Sequence, residues 1–235
     1  MPVQQPSTTQ SSTPQHPVNQ HSVTRPKVIF LDAFGTLFGV KGSVGDLYSN
    51  LARTAQVMTD PQAVNRAFYQ SFAASERLAF PGVDPAAIPE LEYRWWKVIV
   101  EDTFARVGAL EKFDDFDTFY AGLYGYFETA APWRVYPDTV SSLKRWRSMG
   151  IQLGVISNFD SRIYRVLGVL GLSPYFHSVT ISTEVGAAKP AAKIFQVALA
   201  KHRCTASQAW HIGDSESEDY AGAKALGIRA ILVAR

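Results

Sequence analysis

Four polar clusters carry side chains able to do chemistry, and each comes after an apolar run. Asp32 ends Val28-Ile29-Phe30-Leu31, and Ser157-Asn158 ends the run from Ile151 to Ile156. Lys189 comes shortly after Val179–Ser182, and the acidic stretch Asp214–Asp219 ends the run from Ala209 to Ile212. A carboxylate just past a buried strand is a candidate covalent nucleophile. A second one, Asp214, brought beside it would make a hard-oxygen site for a divalent cation, with Lys189 adding a further positive charge. The side chains of Ser157, Asn158 and Thr36 can donate hydrogen bonds to oxygens on which charge develops. Taken singly, Asp32 and Asp214 read as turn or cap residues and Lys189 as a loop lysine. The functional signal is their recurrence at successive strand ends.

The elements that would position these groups follow from the pattern between them. The apolar runs are continuous rather than alternating, which predicts strands buried on both faces, and Ala230–Val233 adds a last one. Helical patterns over Thr139–Met149, Ser161–Leu170, Ala191–His202 and Tyr220–Leu226 separate them. Strand and helix in alternation predict an α/β fold with a doubly wound, mainly parallel sheet, in which ligands lie beyond the carboxyl ends of the strands. The stretch from 41 to 133 breaks the alternation and reads as helices only. Asp60-Pro61 opens one through about Leu78, Pro89 starts another, and Asp114 or Asp115 caps a third carrying Phe116, Phe119, Tyr120, Leu123 and Phe127. Placed after the first strand, such an insertion is most simply a cap over the sheet, with its aromatics forming a core.

Charge and composition exclude several classes of function. With 23 Lys+Arg against 21 Asp+Glu the net charge is +2, and there is no basic run, so no nucleic-acid or membrane-surface partner is expected. Hydrophobic residues make up 46%, enough for a core. No apolar run approaches the ~20 residues that span a bilayer. Residues 1–25 read as a disordered tail, since Met1–Thr24 lacks Lys, Arg, Asp and Glu and is dominated by Gln, Ser, Thr and Pro. The single cysteine, Cys204, cannot form an internal disulfide and fits a reducing compartment, so a cytoplasmic location is expected. The sequence leaves the oligomeric state open.

Leu31-Asp32-Ala33-Phe34-Gly35-Thr36-Leu37, Ser157-Asn158, Lys189-Pro190 and Gly213-Asp214-Ser215-Glu216-Ser217-Glu218-Asp219 resemble, in order, the four motifs of the haloacid dehalogenase-like (HAD) superfamily. The likeness runs from about Val28 to Arg235. The helical insertion resembles the α-helical cap of subfamily I members, which divides the chain into a core over 26–40 and 134–235 and a cap over 41–133. The resemblance implies Asp32 as nucleophile, with Mg²⁺ held by Asp32, the Phe34 carbonyl and Asp214. Asp219 matches the second acidic position, touching metal-bound water or Lys189, with Glu218 as its rival. It also implies a phosphate cradle from Ser157, Asn158, Lys189 and the backbone amides of Phe34 and Gly35. The expected partner is a small, phosphorylated metabolite.

One position departs from the pattern. Phosphatases of the superfamily usually carry a second Asp two residues after the nucleophile, as general acid and base; here it is Phe34, which has no proton to give. General acid help is typically worth ~10²–10⁴-fold. Acyl or activated aryl phosphates would lose less, because their leaving groups need no proton. Phe34 also resembles the first motif of 2-haloacid dehalogenases, which need no metal. The acidic fourth motif opposes that alternative, as does Phe195 where those enzymes tend to carry a tyrosine; Arg53 and Arg66 are candidates for their halide-binding arginine. Phosphonate-cleaving relatives use a cap lysine, for which Lys41 and Lys97 could be proposed, although a surface role fits both better. A third alternative is a protein that binds a phosphorylated ligand or partner with little turnover. His211, Asp160 and Glu184 read as core, loop or capping residues.

Overall fold

The computed structural model describes residues 25–235; apart from Arg25, the tail expected over 1–25 lies outside the described residues. The chain opens with β1 (Val28–Leu31) and β2 (Phe38–Val40), then runs through α1 (Val44–Thr54), α2 (Pro61–Ala74), α3 (Ile88–Arg106) and α4 (Phe116–Tyr126). It returns through β3 (Trp133–Val135), α5 (Thr139–Ser148), β4 (Gln152–Ser157), α6 (Arg162–Val169) and β5 (Ser178–Ile181). It ends with α7 (Ser182–Val185), α8 (Ala192–Lys201), β6 (Ala209–Gly213), α9 (Gly222–Ala225) and β7 (Arg229–Leu232).

Five strands form one parallel sheet in the order β5-β4-β1-β6-β7. β1 is central because both its faces are apolar. Ile29 and Leu31 pack with Leu143, Ile163 and Val166 of α5 and α6, while Val28 and Phe30 pack with Ile194, Phe195 and Ala198 of α8. The chain builds outward from β1 through β4 to β5, then crosses back to lay β6 on the other side of β1. That reversal opens a crevice at the carboxyl ends of β1, β4 and β6, where Asp32, Ser157 and Asp214 emerge.

Helices α1–α4 enclose a separate apolar cluster that includes Tyr48, Val64, Phe68, Ile99, Phe104, Phe119 and Tyr120. Two features of this insert differ from the sequence expectation. A fourth helix, α1, precedes the three expected, closed by a capping box between Ser43 and Asp46. The stretch is also not wholly helical: Trp133 belongs to β3, which pairs antiparallel with β2, so the boundary expected between 133 and 134 falls inside a strand. These three-residue strands are too short to announce themselves by periodicity. Elsewhere, α2 stops at Ala74 rather than near Leu78, and the last helical stretch begins as a π-helical turn over Glu216–Ala221. No helix among the described residues is long and apolar enough to cross a membrane.

Away from the crevice, the buried His202 bridges Gln152 Oε1 at 2.7 Å and Ser178 Oγ at 2.7 Å. Burial foremost, aided by the neighbouring His177, Lys27 and Lys201, pushes His202 down to about 4. Between that value and the ordinary histidine range the unfolded chain binds the extra proton. The stabilising neutral state is therefore complete above about pH 6.5 and lost as pH falls toward 4. Urea titrations should find that the wild type loses ~1–3 kcal/mol more between pH 7 and pH 4 than His202→Gln does. Parallel losses in the two proteins would contradict this assignment.

Candidate active site

Asp32 leaves the end of β1 with 6% of its surface exposed. Its Oδ1 accepts from Lys189 Nζ at 2.6 Å and from Ser157 Oγ at 3.0 Å. Lys189, 1% exposed, also donates to Asp219 Oδ1 at 2.5 Å. Asp219 is held further by His211 Nε2 at 2.8 Å and, through Oδ2, by the Ser215 amide at 3.1 Å. Asp32, Asp214 and Asp219 each offer an oxygen, all within 4.8 Å of one another. Three acids thus crowd around one buried ammonium.

The electrostatics follow from that imbalance. Burial foremost, together with repulsion from Asp219 and Asp214, pushes Asp32 up to about 6 against the pull of Lys189. Desolvation also raises Asp214, with Asp219 adding to it and the Thr36 hydrogen bond opposing. Burial by itself would raise Asp219, but the hydrogen bond from His211 and the ammonium of Lys189 hold it well below the usual carboxylate range. Burial would lower Lys189, yet Asp32 and Asp219 carry it above its ordinary value. Burial lowers His211 below the ordinary histidine range, against the hydrogen bond to Asp219. The residual negative charge between Asp32 and Asp214 is what a hard divalent cation would neutralise. Carboxylate oxygens at this spacing are suitable donors for it.

Asn158 binds the loop that carries Lys189. Its Oδ1 accepts from Lys189 N at 2.7 Å, and its Nδ2 donates to Lys189 O at 3.1 Å and to Glu218 Oε2 at 3.0 Å. Of the two rival acids, the buried Asp219 therefore faces Lys189, while the half-buried Glu218 faces Asn158 and Arg77. Both acids lie in the π-helical turn over Glu216–Ala221, where the amides of Asp219 and Tyr220 each donate to Ser215 O at 3.1 Å.

Two expected cradle contacts differ. Thr36 donates to Asp214 Oδ1 at 3.1 Å, so its hydroxyl orients an acid instead of facing the cavity. The Gly35 amide donates to Phe38 O at 2.9 Å and is likewise committed. The glycine at 35 has another cause: its φ is +85°, and a Cβ there would overlap the Asp214 carboxylate.

Phe34 is 40% exposed, edge-on to Trp133 at 6.2 Å, and lines a cavity of about 670 Å³ with Asp32, Ser157, Asn158, Lys189 and Asp214. The insert supplies much of the remaining wall, largely aromatic. Arg53, Arg66 and Lys41 are exposed and outside that lining, and Lys97 pairs with Asp117 and Glu101 on the insert. Phe195 is buried edge-on to His211.

Sequence reasoning missed Arg77, which reaches from the insert to Lys189 O at 2.5 Å and to Glu218 at 3.5 Å. It also missed the buried Glu92, which accepts from Ser161 N and Oγ. Asp160 accepts from Trp96 Nε1 at 2.6 Å and pairs with Arg162, also at 2.6 Å. No motif marks the insert-to-core contacts of Arg77, Glu92 and Trp96, since their partners are far apart in sequence.

Comparison with known proteins bears on the family and the fold. The family description "haloacid dehalogenase-like hydrolase" matches residues 26–227. Haloacid dehalogenase-like hydrolase domain-containing protein 3 of Danio rerio is 32% identical over 207 residues, covering 88% of this chain and 84% of that protein. Glyceraldehyde 3-phosphate phosphatase of Methanothermobacter thermautotrophicus is 39% identical over 101 residues, covering 43% of this chain and 45% of its own. L-2-haloacid dehalogenase from Xanthobacter autotrophicus, with chloropropionic acid covalently bound, shares the fold. Its TM-score is 0.62 at 18% identity, covering 89% of this chain and 78% of the other.

Proposed function

The chain belongs to the haloacid dehalogenase-like hydrolases, and on that premise we propose that it is a Mg²⁺-dependent phosphatase of small phosphorylated metabolites, with Asp32 as its nucleophile. The observation that carries this reading is the set of three carboxylates within 4.8 Å against one buried lysine. A phosphatase among the partial relatives supports phosphoryl chemistry. Mg²⁺ between Asp32 and Asp214, with the Phe34 carbonyl as a third protein oxygen, would offset the charge of the acids and of the phosphoryl group.

The chain's own residues divide the remaining work. Oδ1 of Asp32 is held by Lys189 and Ser157, which fixes the carboxylate and leaves Oδ2 to attack phosphorus. The P–O bond to the leaving group breaks with its electron pair on the leaving oxygen. Water then attacks the aspartyl phosphate, releasing inorganic phosphate and restoring Asp32. Asp219 keeps Lys189 charged and aimed, and Asn158 fixes its loop. Phe34 supplies no proton, so the leaving group departs as an anion or takes its proton from water.

In this reading α1–α4 act as the cap, as in subfamily I, with the core over 26–40 and 134–235, the insert over 41–133 and the β2–β3 ribbon as the joint. The substrate is a small molecule, and the single free cysteine suits a cytoplasmic setting. Phe34 favours a second reading, metal-independent dehalogenation. Acetyl phosphate and 2-chloropropionate, each assayed with and without Mg²⁺, separate the two. Phosphate release should stop with EDTA and return with Mg²⁺, and no halide should appear. Halide release indifferent to EDTA, without phosphate turnover, would replace the proposal.

A further inference from the structure

We propose that the preferred substrates are phosphate esters of phenols, with the departing ring bedded between Phe34 and an aromatic wall of the insert; this rests on the phosphatase reading above. The cavity that holds Asp32 and Lys189 continues into the insert, which lines it with Tyr69, Phe72, Trp95, Trp96 and Tyr124 among others. Apart from tyrosine hydroxyls and the indole N–H groups of Trp95 and Trp96, which already donate to Glu76 O and Asp160 Oδ2, the polar side chains that α2, α3 and the segment between them bring are Ser75, Glu76 and Arg77. A sugar or glycerol phosphate would have to bury hydroxyls against this wall with few partners, which is costly. A planar ring would not.

The wall is arranged to receive such a ring. Phe72 and Trp96 lie nearly parallel with centroids 6.0 Å apart, and Trp95 stands edge-on to Phe72 at 5.9 Å and to Trp96 at 4.9 Å. Tyr69 is 52% exposed and Phe72 44%, so both keep open faces. Aromatic groups favour such offset and edge contacts. The two arginines lining the cavity are already engaged. Arg162 is held by Asp160 through Nε at 2.9 Å and Nη2 at 2.6 Å, and Arg77 by Lys189 O and Glu218. The site therefore suits one phosphate and an uncharged ring rather than a bisphosphate.

The chemistry of Phe34 points the same way independently. An alkoxide leaves poorly without a proton donor, whereas phenols ionise near pH 10. The Asp32 Oδ2–P bond forms as the P–O(aryl) bond breaks; the electron pair goes to the phenolate oxygen, which then takes a proton from water. The residue that cannot act as an acid instead offers a ring to the group for which an acid matters least.

Binding of methyl-, phenyl- and 2-naphthylphosphonate, which cannot be hydrolysed, is measured with Mg²⁺ by quenching of tryptophan fluorescence, beside turnover of acetyl phosphate. Affinity should rise from methyl to phenyl to 2-naphthyl, with at least a tenfold span. Phe72→Ala, which truncates a half-exposed ring and spares the core, should shrink that span at least fivefold, and Phe72→Tyr should restore most of it. Equal affinities for the three ligands, with Mg²⁺-dependent turnover of acetyl phosphate, would overturn the phenol preference and leave the phosphatase reading standing. Graded affinities without turnover of any phosphate would overturn the phosphatase reading, and with it the claim that phenolic esters are substrates.

Discussion

Asp32→Asn should abolish phosphate release, lowering Mg²⁺-dependent turnover of acetyl phosphate by ~10⁴-fold or more, and should at the same time make the metal-free protein more stable at neutral pH. The first effect follows from removing the proposed nucleophile, for which no other residue of the proposed covalent mechanism can substitute. The second follows from the site's charge. Asp32 is pushed up to about 6 by burial, then by Asp219 and Asp214, against the pull of Lys189. Between the ordinary carboxylate value and 6 the folded chain holds a proton that the unfolded chain has lost. The stability linked to Asp32 is thus complete below about pH 4 and declines as pH rises through 6. An amide carries no such penalty. In EDTA at pH 8 the variant should exceed the wild type by ~1–3 kcal/mol in urea unfolding, with the gap closing by pH 4. Added Mg²⁺ should narrow the gap by binding the wild-type site more tightly. A metal-free variant less stable than wild type at pH 8 would mean that the Lys189 ion pair outweighs desolvation and repulsion.

Phe34→Asp should raise kcat/KM for glycerol phosphate by ~10²-fold, the scale of a restored general acid. The environment suits the change. A carboxyl introduced beside Asp32 and Asp214 would have its protonated form favoured by like charge, as a group that must give up a proton requires. The structural cost is small, because Phe34 is 40% exposed and makes an edge contact with Trp133. Acetyl phosphate, whose leaving group needs no proton, should gain far less, and 2-naphthyl phosphate should show a higher KM as its ring loses a neighbour. Equal gains on glycerol phosphate and acetyl phosphate would contradict the account of this position.

The sheet was legible because β1, β4 and β6 are buried on both faces and therefore read as unbroken apolar runs ending in polar residues. The same ends located Asp32, Ser157 and Asp214; Lys189, expected at a strand end as well, lies instead on the loop beyond α7, eight residues past β5. What escaped depends on orientation and on distant partners. Thr36 lies in the expected motif, yet its hydroxyl turns to Asp214; the Gly35 amide is taken by Phe38. The choice between Asp219 and Glu218 rests on which side chain of one short turn points toward Lys189, which no composition or period signals. The Ser43/Asp46 box before α1 was present in the sequence, as a local signal in a stretch read mainly for its aromatics. Arg77 could be found only once α2 was known to end at Ala74 and release the chain toward Lys189.

The short antiparallel pairing of β2 with β3 brings the chain out of the sheet and back at nearly the same spot. Everything between is an excursion that starts and finishes side by side, so its length and sequence can change without altering the order of the parallel strands. Selection can therefore revise the largely aromatic wall that the insert gives the cavity while the parallel sheet keeps its order. A graft of a related insert between Val40 and Trp133 is the corresponding engineering route: one splice site with two adjacent ends.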